Sequence, residues 1–122
     1  MVLEEMRSHL AATRVELRDL ARCALGLQEV ELGAYLTLLK GGSMTVKDLA
    51  EKTGRSRPTA QRILGSLVSK GLAHRRERII DRGGYFFLYE ATPAERAKKL
   101  IRDIIEEWYQ RMENALDSGS FK

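Results

Sequence analysis

The sequence predicts a mostly helical protein with one small β-hairpin. Most apolar residues recur every three or four positions, which is the spacing of helices buried along one side. Residues 85–91 instead alternate between two sides and follow the turn-forming run Asp81-Arg82-Gly83-Gly84. With 43% hydrophobic and 31% charged residues, the 122-residue chain can build the core of one domain but is too polar for an integral membrane protein.

The composition also argues against several other classes of protein. No stretch approaches the roughly 20 apolar residues that span a bilayer, and the first ten residues lack a signal-peptide core, so we expect a cytoplasmic protein. Cys23 is the single cysteine, and with only His9 and His74 beside it no structural zinc set can form. We expect no cofactor, and Cys23 to be buried rather than redox-active. Catalytic triads, phosphate loops and paired carboxylates are not evident, so we expect no enzyme.

The first segment, residues 1–24, is predicted to form a helix that packs along another helix. With Thr13 added, the apolar residues from Leu3 to Ala24 keep alternating steps of three and four, and no Gly or Pro interrupts them before Gly26. The stripe consists of Leu3, Met6, Leu10, Leu17 and Leu20. We assign this segment to dimerisation.

A helix-turn-helix unit is predicted in the middle of the chain. After a helix over residues 28–40, Thr45 caps a helix over residues 46–52, and Gly54 ends it. Ser56 caps the next helix, which carries Pro58 in its first turn. Two short helices joined by a short glycine-containing turn are typical of this motif.

Strands at residues 72–80 and 85–91 add a hairpin, so residues 25–91 are predicted to form a winged helix-turn-helix domain. Residues 92–122 then form a helix that begins at Thr92-Pro93 and runs to about residue 116, with a short tail. We assign this helix to dimerisation as well, because its apolar stripe exceeds what a small domain covers. The residues assigned to the dimer are Ile101, Ile104, Ile105, Trp108 and Met112.

Positive charge is concentrated in one part of the chain. Residues 52–82 contain nine basic and two acidic residues, although the whole chain carries a net charge of only +4. A basic segment in an otherwise slightly acidic chain is typical of a polyanion binder, and a solvated basic face without a ligand is the alternative.

The helix that begins at Ser56 has the outward face of a DNA-recognition helix. Its exposed positions are short or hydrogen-bonding, and none holds a large apolar residue. We expect Arg57, Thr59 and Gln61 to contact bases in the major groove, and Arg55 and Arg62 to contact phosphates. Ser56 is counted with these DNA-binding residues, and Gly65 is expected to allow close approach. Ordinary solvation of these side chains is the alternative.

The hairpin carries Arg75, Arg76, Arg78 and Arg82 near a glycine-rich tip, which favours contact with the minor groove or with phosphates. Protection of a sheet edge against aggregation is the alternative. Tyr85, Phe87 and Tyr89 share one face and could stack on bases, but their alternation with Phe86 and Leu88 favours packing in the sheet.

Four runs resemble the TrmB-type winged-helix regulators, and the same runs are similar to MarR-type regulators. The runs are LGLQEVELGAYLTLL at residues 25–39, TVKDLA at 45–50 and GRSRPTAQRIL at 54–64, followed by LVSKGL at 67–72. The resemblance implies a sequence-specific, dimeric regulator of transcription whose recognition helix begins at Ser56. Full-length TrmB proteins also carry a C-terminal sugar-binding domain, whereas this chain ends soon after its last helix, so the resemblance gives no expectation of a sugar ligand here.

The expected partners are double-stranded DNA and a second copy of the chain, which would place two recognition helices about one DNA turn, roughly 34 Å, apart. We expect no membrane partner, and the residues identify no small-molecule effector. A protein-interaction adaptor without DNA binding is the main alternative, because the winged-helix fold alone does not determine function. A ligand or redox switch between the dimer helices is a weaker one.

Overall fold

The computed structural model describes residues 14–121, which form five helices and one two-stranded antiparallel hairpin. The elements are α1 (Leu17–Leu25), α2 (Glu29–Gly41), α3 (Val46–Thr53), α4 (Arg57–Ser69), β1 (Ala73–Ile79), β2 (Tyr85–Ala91) and α5 (Ala94–Ser118). This confirms the predicted winged helix-turn-helix fold, with α3 and α4 as the two helices of the motif and the hairpin as the wing.

The chain divides into two compact units. One unit extends from Leu27 to Ala97 and contains α2, α3, α4 and the wing. The other combines the described residues before Leu27 with those from Lys98 onward, and so contains α1 and most of α5.

The core of the winged unit lies where α2, α3, α4 and the base of the wing meet. Apolar positions three and four apart on each helix point to the same side, which is why one face of each helix is buried. The largest fully buried side chains are Leu38, Met44, Leu49, Leu64, Leu67 and Leu72. The core thus fixes α4 from behind and leaves its opposite face free.

Hydrogen bonds hold Thr92, the residue that follows β2, against the rest of the winged unit. The buried Tyr35 hydroxyl on α2 donates to the Thr92 carbonyl over 2.6 Å, and the Thr92 hydroxyl donates to the Gly71 carbonyl over 2.8 Å. Burial raises the pKa of Tyr35, so the phenol keeps the proton that it donates. The bonds join α2, the end of α4 and the chain after β2.

The predicted turns between the elements are formed as expected. The Thr45 hydroxyl accepts from the Asp48 N–H over 3.1 Å, and the Asp48 carboxylate accepts from the Thr45 N–H over 3.0 Å. Gly54 has a φ of 68°, in the left-handed region where glycine has no steric penalty. At the wing tip Gly83 and Gly84 have φ values of 102° and 85°.

The structure differs from the predicted continuous helix over residues 3–24. Residues 14–16 are not helical, and α1 begins only after Glu16, whose backbone is extended with φ −93° and ψ 147°. Residues 14–16 are all exposed, so burial against the described residues does not stabilise a helical turn there, and the Glu16 carbonyl accepts the first α1 bonds from Asp19 and Leu20. The rest of the predicted segment, residues 1–13, lies outside the described residues.

The last helix begins at Ala94 rather than at Pro93 and extends to Ser118, two residues beyond the predicted end. Within the described residues, every helix is too short or too polar to cross a membrane.

Candidate nucleic-acid interface

The N-terminal turn of α4 is held by the local sequence. The Ser56 side chain accepts a hydrogen bond from the Thr59 N–H over 3.3 Å and donates one to the Thr59 hydroxyl over 3.0 Å. Before the cap, the Arg55 N–H donates to the Ala50 carbonyl over 3.1 Å, which ties the turn to α3. This turn therefore presents its side chains from a defined backbone.

The structure places all six sequence-predicted recognition residues together, at the start of α4 and on its outward face. Arg55, Ser56, Arg57, Gln61 and Arg62 are exposed, and Thr59, which is hydrogen-bonded to Ser56, is half-buried. The opposite side of α4 is buried through Ala60, Ile63, Leu64 and Leu67. The exposed face of α4 therefore carries hydrogen-bonding groups and positive charge, and the buried face on the opposite side anchors the helix in the core.

The arginines of this face keep their charge unneutralised. Within residues 14–121, no carboxylate lies within 4 Å of the guanidinium of Arg55, Arg57 or Arg62. The first turn of α4 contains no acidic residue either, so the partial positive charge of the helix N-terminus adds to that of the arginines. The combined field favours an anionic partner.

Gly65 lies in the middle of α4, on its exposed side. A Cβ at this position would meet no atom within 4 Å, so the packing of the chain does not require glycine there. Glycine in a helix interior costs about 1 kcal/mol relative to alanine. Glycine therefore destabilises α4 at position 65, and no contact among the described residues explains why glycine is present there.

A buried carboxylate fixes α4 against α2. Glu31 is 6% exposed; its Oε1 accepts from the Gln28 N–H over 2.7 Å and from Lys70 Nζ over 3.0 Å. Its Oε2 accepts a hydrogen bond from the Ser66 hydroxyl. Burial raises the pKa of Glu31, but the bonds from Gln28, Ser66 and Lys70 outweigh it and hold the pKa below its usual value. The cluster orients the C-terminal half of the recognition helix.

Sequence reasoning missed Glu31, although a signal was present. Glutamate three residues after Gln28, at a helix start, is the spacing of a capping box, and the Gln28 N–H does donate to Glu31. Its contacts with Ser66 and Lys70, 35 and 39 residues further along the chain, have no sequence signature.

The wing does not present its arginines as one group. In the antiparallel register Arg75 lies opposite Tyr89, and Arg76 lies opposite Leu88, so neighbouring arginines point to opposite faces. The Arg75 guanidinium lies 4.2 Å from the centre of the Phe87 ring, and Arg76 forms an ion pair with Glu90. His74 Nε2 lies 3.3 Å from the other oxygen of Glu90.

Two of the wing arginines keep a free charge. Arg78 and Arg82 are exposed, and no carboxylate of the described residues lies within 4 Å of either. Glu90 is held ionised by its neighbours: hydrogen bonds from Ser43 and the charge of Arg76 lower its pKa. Of the four predicted wing contacts, Arg78 and Arg82 are therefore the most available to an outside anion.

The aromatic face of β2 is divided between core and solvent. Tyr89 is 3% exposed, and its backbone exchanges hydrogen bonds of 2.7 and 2.9 Å with Met44, which anchors the wing. Tyr85 near the tip is 60% exposed and packs edge-on against Phe87, with ring centres 5.5 Å apart. The base of the wing is thus core, as the alternation suggests, whereas its tip is not.

The residues predicted for dimerisation differ in their exposure. Leu3, Met6 and Leu10 lie outside the described residues, Leu17 on α1 is 49% exposed, and Leu20 is half-buried. On α5, Ile101 is buried within the single chain, and Ile104 and Trp108 are half-buried. Ile105 and Met112 are 37% and 47% exposed.

Four exposed apolar residues of α5 form a seam, and the residues predicted for dimerisation include two of them, Ile105 and Met112. Ile105, Tyr109, Met112 and Leu116 follow one another at steps of four, three and four, so they lie along one side of the helix. This is the a/d spacing of a helix that packs along another helix. We call these four residues the α5 seam.

Cys23 is buried on α1, as expected for a structural cysteine. Among residues 14–121, no group of three or more histidine, cysteine or acidic side chains is arranged to hold a metal ion.

Comparison with known families identifies the winged unit. Residues 21–95 match the family model described as the sugar-specific transcriptional regulator TrmB, and these residues include α2, α3, α4 and the whole wing. The chain belongs to the TrmB family. Members of this family are regulators of transcription rather than enzymes.

Relatives of this TrmB-family chain include two uncharacterized proteins of Methanocaldococcus jannaschii. One is 38% identical over 100 residues, which cover 82% of each chain. The other is 35% identical over 104 residues, which cover 85% of this chain and 79% of the relative. The similarity therefore extends beyond the winged unit.

Solved structures share the fold of this TrmB-family chain. A possible transcriptional regulator from Methanosarcina mazei superposes with a TM-score of 0.77 at 22% identity, covering 90% of this chain and 93% of the other. A MarR-like transcriptional regulator from Thermotoga maritima superposes with a TM-score of 0.51 at 19% identity, covering 97% and 78%. These structures agree in the winged-helix architecture.

Proposed function

We propose that this TrmB-family protein is a sequence-specific regulator of transcription that binds double-stranded DNA as a homodimer. The recognition helix, residues 56–70, enters the major groove, and the arginine-rich wing, residues 75–82, lies in the minor groove or on the flanking phosphates. The protein acts without catalysis and without a cofactor.

The exposed face of α4 carries the proposal. Arg55, Arg57 and Arg62 are exposed and unpaired among the described residues, and Gln61 lies on the same helix. Arginine and glutamine are the side chains that pair bidentately with guanine and adenine in the major groove. We assign Arg57, Thr59 and Gln61 to base contacts, and Arg55 and Arg62 to phosphates.

The α5 seam supports the homodimer. Ile105, Tyr109 and Met112 are at least 37% exposed along one side of a 25-residue helix, although they are apolar or aromatic. A second copy related by two-fold symmetry would bury the seam against itself. It would also present two recognition helices to one face of the duplex, which suits a palindromic site.

The test is selection of a binding site from a random duplex pool, followed by affinity measurements on the selected duplex at several salt concentrations. We expect log K to fall steeply with log[salt], because arginine side chains that bind phosphates release counterions from the DNA. Replacing both Arg55 and Arg62 by alanine should lower the salt slope by about one unit for each phosphate that the variant leaves unneutralised, without changing the selected sequence.

The matched control removes Arg102 and Arg111, two exposed arginines of α5, and should leave the slope unchanged because the α4 face is intact. A wild-type protein that selects no sequence and binds duplexes without salt dependence would overturn the proposal in favour of a protein-interaction adaptor.

A further inference from the structure

The tip of the wing exposes a compact group of apolar side chains. Ile79 is 83% exposed and Tyr85 is 60% exposed, and the two lie directly opposite each other in the last pair of the hairpin. Phe86, on the other face of the ribbon, is 40% exposed, and Ile80, just after the end of β1, is 43% exposed. We call Ile79, Ile80, Tyr85 and Phe86 the wing-tip cluster.

This cluster is unusual at the end of a two-stranded ribbon. Exposed edge strands normally carry charge that blocks pairing with other chains, and four adjacent large apolar residues are an aggregation hazard. Within the winged unit the core ends at Tyr89, four residues from Tyr85, so the cluster adds nothing to the buried core. Its exposure therefore indicates an external contact.

The surrounding charge indicates what that contact is. Arg78 lies opposite Phe86 in the register, and Arg82 lies in the turn that the cluster borders. Both guanidinium groups are free of carboxylates among residues 14–121, and the acidic residues of the ribbon are Glu77, Asp81 and Glu90, the last of which is paired with Arg76. An apolar tip flanked by free arginines complements a surface that offers both phosphates and stacked bases.

We infer that the wing-tip cluster contacts the floor of the DNA minor groove and partly unstacks a base step, while Arg78 and Arg82 hold the phosphates on either side. This inference rests on the proposed function and extends it from binding to deformation of the DNA. Isoleucine and phenylalanine are among the side chains that act as such wedges, and the resulting kinks are about 20–90° toward the major groove.

The dimensions of the wing are compatible with this role. Seven residues in each strand give a ribbon on the order of 20 Å long, and its two-glycine turn is narrow. The minor groove is roughly 6 Å wide and 7.5 Å deep, so only the tip of such a ribbon can enter it. Ile79 and Tyr85 lie at that tip.

The test measures DNA bending by energy transfer between dyes at the two ends of a duplex of about 30 base pairs that carries the selected site. We expect the wild-type protein to shorten the end-to-end distance. The double variant Ile79→Thr/Tyr85→Thr keeps β-forming residues in the strands, and it should lose the bend and bind about tenfold more weakly. Its salt slope should be unchanged, because every arginine that binds phosphate is retained.

Two control variants separate the phosphate contacts from the contribution of the apolar wing tip. Arg78→Ala/Arg82→Ala should lower the salt slope, and Leu36→Ser, which removes a 46% exposed leucine on α2, should change neither bending nor affinity. The single variant Ile79→Thr repeats the test with a smaller perturbation of the hairpin, and thermal unfolding checks that each variant is folded.

Three results would overturn the inference. One is a wild-type complex with an unbent duplex, which leaves the proposed DNA binding intact. A second is unchanged bending and affinity in the Ile79→Thr/Tyr85→Thr variant. The third is loss of the dimer in that variant by light scattering, which would make the cluster an interface between copies of the chain. A wild-type protein that binds no duplex overturns both proposals.

Discussion

The Glu31 carboxylate on α2 lies 3.0 Å from Nζ of Lys70, the residue that follows α4. The Glu31 side chain is 7% and that of Lys70 27% exposed, so the ion pair is largely screened from solvent. Together with the bond from Ser66, it joins the start of α2 to the second half of α4. The outward face of α4 carries the proposed DNA contacts. The ion pair therefore both stabilises the fold and helps to orient that face.

Replacing Glu31 by glutamine should lower the free energy of unfolding by about 2 kcal/mol. The amide keeps the shape of the side chain but loses the charge, so the ammonium of Lys70 faces a neutral group in place of a carboxylate. Glu51→Gln on the exposed side of α3 is the matched control and should change stability by less than about 0.5 kcal/mol. Urea unfolding measures both, and equal midpoints would contradict the role assigned to Glu31.

Stability should fall in mild acid through the same group. The folded-state pKa of Glu31 lies below its ordinary value of 4.5, so folding is favoured by the ionised form. This contribution is fully present above the unfolded-state pKa and is lost as the pH falls from that value through the folded-state pKa. Urea titrations between pH 7 and pH 3 should therefore show a loss that is smaller in the Glu31→Gln variant; parallel curves for the two proteins would argue against the prediction.

Substituting Gly65 by alanine should stabilise the fold and weaken DNA binding. A Cβ at this position meets no atom of residues 14–121 within 4 Å, so the expected gain in helix stability is about 0.5–1 kcal/mol. The same methyl group lies on the face proposed to approach the DNA backbone, and it should reduce affinity on the selected duplex. Gly33→Ala, in an equally open position inside α2, should stabilise the protein without affecting affinity. A Gly65→Ala protein with wild-type affinity would remove close approach as the reason for this glycine.

Introducing charge into the α5 seam should dissociate the homodimer. Ile105 and Met112 are exposed and two turns apart, so Ile105→Glu/Met112→Glu places two carboxylates in the proposed interface without disturbing a buried site. Light scattering should report monomers with unchanged helical content by circular dichroism, and binding to a palindromic site should weaken. Gln110→Glu, on another side of α5, is the control and should stay dimeric. A wild-type protein that is monomeric at micromolar concentration would contradict this prediction.

Local sequence determined the elements of this protein and the turns between them. Capping by Thr45 and Ser56, the left-handed glycine Gly54 and the glycines of the wing tip act over three or four residues, so their effects are legible in the chain itself. The composition of the α4 face is equally local, because helical periodicity separates its buried and exposed sides.

Tertiary structure alone decided which charged residues form ion pairs and which residues of an apolar stripe are buried. Arg76 and Arg78 look equivalent in the sequence, yet only Arg76 meets Glu90, because pairing of β1 with β2 brings that carboxylate across the hairpin. Ile101 and Ile105 belong to one apolar stripe, but packing buries the first and leaves the second exposed. Glu31 meets Lys70 across 39 residues. Which residues along an apolar stripe are buried, and which charges form ion pairs, depends on the distant segments that pack together, and residue spacing along the chain does not specify those contacts.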